Sequence, residues 1–280
     1  MFGIIGLGAV GTLIAHFLNN AGYTPLVITR TKYDEVFFNE EKIQVKYVNE
    51  LNNIKYTFVT VKAYDTPKIL SYLKGKVIVI QNGIGGYELI KEHHTNSYPA
   101  ILTYGLERNN NKVKLNGIGE IILPLEATEY DEIGEILKIG GASIKLVKDI
   151  QSYRWLKLAI NCVINPLSTL FKIKNGDILR IPEDLLISII NEVKNVATLE
   201  KINLPLDPYE ELKRVISITK DNKSSMLQDI EKGRKTEIDY LNGAVVKYGN
   251  KYNYRPIHNE ILWKMIKTLE TLNAIKEPNF

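Results

Sequence analysis

The sequence predicts an α/β first half, built on a parallel sheet covered by helices, followed by an all-helical second half. Two patterns carry this prediction. Up to about residue 150, short and nearly continuous apolar runs alternate with helix-period segments. Strands that are apolar on both faces and joined by helices pack as a parallel sheet with both sides covered. Beyond that point the strand patterns stop and long helical stretches take over. A chain of 280 residues, 45% hydrophobic and 24% charged, can bury a core in each half without staples. The boundary is expected near residues 147–151, giving domains 1–149 and 150–280.

In chain order, Phe2–Ile5, Pro25–Thr29, Thr57–Val61 and Lys76–Ile80 read as strands, the last holding the β-branched run Val77-Ile78-Val79. Ala9–Ala21 reads as a helix, with Val10, Leu13, Ile14, Phe17 and Leu18 at helical spacing and Gly22 as its stop. A second strand group is expected at Ala100–Leu106, Lys114–Leu123 and Ser143–Leu146, with turns at Asn109–Asn111 and Asn116-Gly117. The helical half should contain Ser152–Phe171, Pro182–Lys201, Pro208–Ile218, Ser225–Tyr248 and His258–Leu272. Asp207 serves as N-cap to Pro208 at the first helical position.

Composition narrows the function classes. The single cysteine, Cys162, excludes an intramolecular disulfide and suits a reducing cytoplasm. A net charge of +4 is spread along the chain, with no basic block interleaved with aromatics, so nucleic acid is not an expected partner. Phe2–Leu18 is apolar but lacks a basic leader, and no other run approaches the roughly 18 residues that span a bilayer. No membrane role is expected. His93-His94 and His258 have no partner pattern, so no metal is assigned.

Gly6-Leu7-Gly8-Ala9-Val10-Gly11 follows a strand and opens a helix. Gly6 permits the tight turn, Gly8 lets backbone approach a pyrophosphate, and Gly11 lets helix pack on strand. The helix start then offers free N–H groups and a positive dipole end to phosphates. This makes the first half a Rossmann-type dinucleotide-binding domain. At the end of the second strand an acidic residue would take the ribose hydroxyls of NAD. The sequence instead has Arg30, followed by Thr31 and Lys32. A guanidinium can grip a 2′-phosphate in a forked pair, so NADP is favoured over NAD.

In the otherwise apolar stretch from Trp155 to Leu167, Lys157, Asn161 and Asn165 fall at i, i+4 and i+8 and share one helical face. Such groups are costly to bury unless something polar meets them. A structural ladder and a substrate site both answer that need, and spacing does not choose between them. A lysine ammonium in a partly desolvated site can protonate a developing alkoxide.

The ordered set of Gly6-x-Gly8-Ala9-x-Gly11, Val61-Lys62-Ala63-Tyr64, Gln81-Asn82-Gly83, Lys157-Leu158-Ala159-x-Asn161-Cys162-x-x-Asn165-Pro166-Leu167, Ser224-Ser225-Met226-Leu227-Gln228-Asp229-Ile230 and Thr236-Glu237-Ile238-Asp239-Tyr240-Leu241-Asn242-Gly243 resembles the ketopantoate reductase (2-dehydropantoate 2-reductase) family across nearly the whole chain. The resemblance implies NADPH-dependent reduction of 2-dehydropantoate to (R)-pantoate, on the route to pantothenate and coenzyme A, in an active site between the two domains. It implies Lys157 as general acid and Glu237 as the carboxylate that binds a substrate hydroxyl and positions the lysine. Ser225 would hold the substrate carboxylate, while Asn161 and Asn165 would contact its hydroxyl and carbonyl oxygens. Asn82 would lie near nicotinamide and substrate, Lys62 on the cofactor side, and Arg30 on the 2′-phosphate. The segment after the second strand departs from the family by lacking the proline that many members place after their basic residue. A same-fold reductase of another branched 2-keto acid and a non-catalytic NADP sensor remain as rival readings. The sequence fixes no oligomeric state and is compatible with a homodimer.

Overall fold

The computed structural model describes residues 1–125 and 128–276. Residues 277–280, which close the span expected for the helical domain, and residues 126–127 lie outside the described residues. The chain divides into two compact units, residues 1–81 with 85–150, and residues 82–84 with 151–280.

The first unit opens with β1 (Phe2–Ile5), α1 (Ala9–Asn20) and β2 (Leu26–Ile28). Three two-residue strands follow, β3 (Phe37–Phe38), β4 (Glu41–Lys42) and β5 (Lys46–Tyr47). Then come β6 (Tyr56–Val59), β7 (Lys76–Val79), α2 (Gly86–His93) and β8 (Ser97–Pro99). Six of these strands form one sheet in the order β5-β2-β1-β6-β7-β8, with every neighbouring pair parallel. This is the doubly wound Rossmann-type order, whose direction of winding reverses at β1 and β6. Alternate residues feed separate cores on the two faces. Phe2, Ile4, Tyr56, Phe58 and Ile78 join one cluster, while Ile5, Val59, Val77 and Val79 join the other. Burial on both faces is why these strands read as unbroken apolar runs.

The rest of the unit comprises β9 (Ile101–Leu102), β10 (Gly105–Asn109), β11 (Lys112–Gly117), β12 (Ile121–Pro124), α3 (Thr128–Ile139) and β13 (Ile144–Val147). The segments expected at Ala100–Leu106 and, around a turn at Asn116-Gly117, at Lys114–Leu123 are each two strands in different sheets. β11 pairs with β10 and β3, whereas β12 pairs with β9 and β13. The turn expected at Asn116-Gly117 is not there, since both residues still belong to β11, and the chain leaves the strand only at Ile118. The turn at Asn109–Asn111 is present, with Asn110 in the left-handed region at φ 53°.

The second unit holds α4 (Ile150–Phe171), α5 (Glu183–Leu199), α6 (Pro208–Thr219), α7 (Ser225–Glu231), α8 (Asn242–Asn250) and α9 (Ile257–Lys276). Asp207 caps α6 as expected, accepting from Tyr209 N and Glu210 N at 3.0 Å each. The helix expected over Ser225–Tyr248 is broken. It stops at Glu231, where Gly233 takes φ 63°, and a 3₁₀ turn at Ile238–Tyr240 precedes α8. No helix among the described residues is long and apolar enough to cross a membrane.

One buried network fixes how α4 meets its neighbours. Pro166 lies inside α4 and has no N–H to give the carbonyl of Cys162, four residues back. That carbonyl accepts from the side-chain amide of Asn242 at 3.0 Å. The same amide nitrogen donates to Asn259 Oδ1 at 2.9 Å, and Asn259 Nδ2 donates to Glu192 Oε2 at 2.9 Å. Glu192 also accepts from the backbone N–H groups of His258 and Asn259 at 2.9 Å each, so it caps α9 from α5. Asn242→Ala should therefore leave a buried carbonyl unpaired and cost about 1–3 kcal/mol. Both tryptophans, Trp155 and Trp263, lie in this unit. Urea unfolding followed by tryptophan fluorescence should show a lower midpoint, and an unchanged midpoint would contradict the assignment.

Candidate functional site

Two sets of residues stand out, one in each unit. In the first, the carboxyl end of β1 runs into the loop Gly6-Leu7-Gly8 and then into α1. Gly6 sits at φ 97°, and a Cβ at Gly11 would overlap the Gly6 carbonyl oxygen, so glycine is required for the helix to come this close. Gly8 is the N-cap residue and offers no side chain to the helix's first N–H groups. A Cβ at Gly8 would meet only Arg108 Nη1, at 3.8 Å. An uncapped helix start beside open space, reached by a guanidinium, fits a pyrophosphate. Arg30 follows β2 and Lys62 follows β6, so both expected cofactor residues lie past the carboxyl ends of the strands flanking β1. Arg30 is largely exposed and donates to Asp65 Oδ2 at 3.0 Å.

Arg108 was not legible in the sequence. It comes from β10, donates to the Leu7 carbonyl at 2.7 Å and lies 5.5 Å over the Tyr33 ring. It and the glycine loop are 101 positions apart, and only the folded hairpin brings them together.

The second set lies in the helical unit. The segment Asn82-Gly83-Ile84 leaves β7 and packs there. Gly83 takes φ 79° against the Tyr240 carbonyl, where a Cβ would overlap, and Ile84 N donates to that carbonyl at 2.9 Å. This holds Asn82 beside the residues that precede the 3₁₀ turn. Asn82 Oδ1 accepts from Lys157 Nζ at 3.0 Å, and Asn82 Nδ2 donates to Glu237 Oε2 at 3.2 Å. One amide thus joins the lysine to the carboxylate, with its oxygen toward the cation and its nitrogen toward the anion.

Glu237 is buried and held on both sides. Thr236 N and Thr236 Oγ1 each donate to Glu270 Oε1 at 2.7 Å, and Ile238 N donates to Thr236 Oγ1 at 3.2 Å. Asp239 accepts from Trp263 Nε1 at 2.8 Å and from Lys267 Nζ at 3.1 Å. Burial pulls the Lys157 ammonium down to about 8, while the Glu237 charge works the other way. The group can therefore give up a proton near neutral pH and still hold one most of the time.

Asn161 and Asn165 continue along the same face of α4. Asn161 is half-buried and Asn165 buried, and among the described residues neither side-chain amide has a hydrogen-bond partner. No protein ladder pairs them, so their polar atoms are left to solvent or to a ligand. Ser225 is the first residue of α7 and is exposed. Its neighbour Ser224 makes the local bonds instead, accepting from Leu227 N at 3.1 Å and from Ser168 Oγ at 2.7 Å. Ser168 lies one turn past Asn165, so the start of α7 sits against this part of α4. Among the described residues no cluster of three or more His, Cys, Asp or Glu could hold a metal.

Comparison with known proteins finds relatives over both halves of the chain. Residues 2–126 match the family described as ketopantoate reductase PanE/ApbA, and residues 149–270 match its C-terminal part. A 2-dehydropantoate 2-reductase of Pyrobaculum aerophilum is 44% identical over 278 residues, covering 97% of this chain and 99% of the relative. A PanE/ApbA family ketopantoate reductase from Ralstonia eutropha JMP134 superposes with a TM-score of 0.85 at 21% identity, covering 98% and 99% of the two chains. D-mandelate dehydrogenase, solved with NADH and anilino(oxo)acetate, shares the fold with a TM-score of 0.84 at 24% identity, covering 98% and 99%. On the match of both halves and the kinship across nearly its whole length, the chain belongs to the ketopantoate reductase family of dinucleotide-dependent reductases.

Proposed function

We propose that the chain reduces 2-dehydropantoate to (R)-pantoate with NADPH, in the cytoplasm, as a step toward pantothenate and coenzyme A. The observation that carries this reading is the bonded set Lys157–Asn82–Glu237, which holds a desolvated ammonium at a fixed place in its charged form. When bound, the nicotinamide supplies the hydride. The backbone of Gly6, Leu7, Gly8, Ala9, Val10 and Gly11 would receive the pyrophosphate, Arg30 the 2′-phosphate, and Lys62 would stand on the cofactor side. Lys157 gives its proton to the keto oxygen as the carbonyl carbon is reduced, then recovers one from water. Asn82 aims the ammonium. Glu237 keeps it protonated between turnovers and accepts from a substrate hydroxyl. The unpartnered amides of Asn161 and Asn165 take hydroxyl and carbonyl oxygens, and Ser225 takes the carboxylate.

Lys157→Ala should lower kcat by roughly 10²- to 10⁴-fold, the usual worth of a positioned proton donor. NADPH binding, read by fluorescence titration, should be unaffected, and wild-type turnover would remove Lys157 from the chemistry. The acid must be protonated, so kcat/KM for reduction should be level at low pH and fall as pH rises through about 8. Glu237→Gln removes the charge that raises the ammonium's pKa, so its alkaline limb should move to lower pH. A limb that stays put would contradict that role. Arg30→Ala should weaken NADPH by about tenfold or more, the scale of a charged hydrogen bond, with NADH nearly unaffected. Equal loss for both cofactors would contradict the phosphate assignment.

A further inference from the structure

The carboxylate of Asp65 plays no part in the reading above, yet it holds the cation on which that reading leans. Asp65 is buried, and each of its oxygens takes a cation. Oδ2 accepts from Arg30 Nη2 at 3.0 Å and Oδ1 from Lys68 Nζ at 2.9 Å. The carboxylate is the anchored member of the three. Asp65 N donates to the Lys62 carbonyl at 2.9 Å. Gln81 Nε2 donates to the Val61 carbonyl at 3.0 Å and to Thr66 Oγ1 at 2.9 Å, and Thr66 is fully buried. The side chains of Arg30 and Lys68, by contrast, are 79% and 69% exposed, against 8% for Asp65. The cations come to the carboxylate, and the fold, not the pairing, sets where the carboxylate stands.

That place matters because Arg30 follows β2 and Asp65 follows β6, the two strands that flank β1. The ion pair therefore reaches across the end of the strand that feeds the glycine loop. An acidic side chain at the end of the second strand of such a fold accepts the ribose hydroxyls of an unphosphorylated dinucleotide and repels a 2′-phosphate. In this chain the acid comes from the turn after β6 and not from the end of β2, where the sequence shows only Arg30.

We propose that Asp65 sets cofactor specificity. Its carboxylate competes with the 2′-phosphate for Arg30, so the chain accepts NADH as well as NADPH, with a preference for NADPH far shallower than Arg30 alone would give. The inference rests on the reading of Arg30 as the phosphate ligand. A dianionic phosphate drawn to the guanidinium meets a fixed negative charge beside it, and one arm of the fork is already engaged. A ribose hydroxyl is neutral and can donate to the same carboxylate. Lys68, on the other oxygen, offsets part of the repulsion.

The test is direct binding without substrate, by calorimetry, of NADPH, NADH, 2′,5′-ADP and AMP. Asp65→Asn should raise the NADPH-to-NADH affinity ratio by about tenfold, the scale of one charged contact, and the 2′,5′-ADP-to-AMP ratio in parallel. The double variant D65N/R30A should lose that gain. Lys68→Ala changes an exposed residue and should lower the same ratio, which keeps the proposal open to test if Asp65→Asn folds poorly. A ratio that is unchanged or lower in D65N, or unmoved in K68A, would overturn the proposal. Failure of the Arg30 reading shows separately, as equal loss of both cofactors in R30A alone. Failure of the substrate reading shows only in turnover of 2-dehydropantoate, which these titrations do not use.

Discussion

The structure turns on keeping a lysine ammonium charged where water is scarce. Burial favours the neutral amine of Lys157, and the carboxylate of Glu237 opposes it, leaving the group near pH 8 and not near its ordinary 10.5. The two effects oppose each other, and burial is the larger. Asn82 mediates between the two, so cation and anion share one amide.

Much of the helical unit serves that arrangement. Glu237 lies in the gap where the long helix expected from sequence breaks, and α9 pins the gap through Glu270, Trp263 and Lys267. A continuous helix would have turned Glu237 with its neighbours; the 3₁₀ turn lets Thr236 and Ile238 be held independently of it. Farther along α4, Pro166 removes one helical hydrogen bond, and Asn242 supplies the replacement. The asparagine in the Leu241-Asn242-Gly243 stretch thus supplies the donor that the backbone lacks.

The sequence was most legible where the signal is local. The strands β1, β2, β6 and β7 are short β-branched and aromatic runs buried on both faces, and each was placed within a residue or two. The fingerprint Gly6–Gly11 and the spacing of Lys157, Asn161 and Asn165 are also local patterns with a physical cause. Strands of two residues, such as β3, β4 and β5, carry no periodicity to read. The break after Glu231 was hidden because Gly233 sits within a stretch whose apolar spacing still suits a helix. Long-range pairs were invisible: Arg108 meets the Leu7 carbonyl, and Asp65 meets Arg30, only after the sheet and hairpin form. The two asparagines on α4 share a face by spacing alone, and only the folded chain shows that no protein ladder pairs them.

The most direct test of this balance follows the Lys157 ammonium itself, by NMR titration of a lysine-labelled chain with Lys157→Arg identifying the resonance. A lysine so buried should show a midpoint near pH 8 in the unsubstituted protein. A midpoint at the ordinary lysine value of about 10.5 would contradict it, because the ammonium would then be solvated.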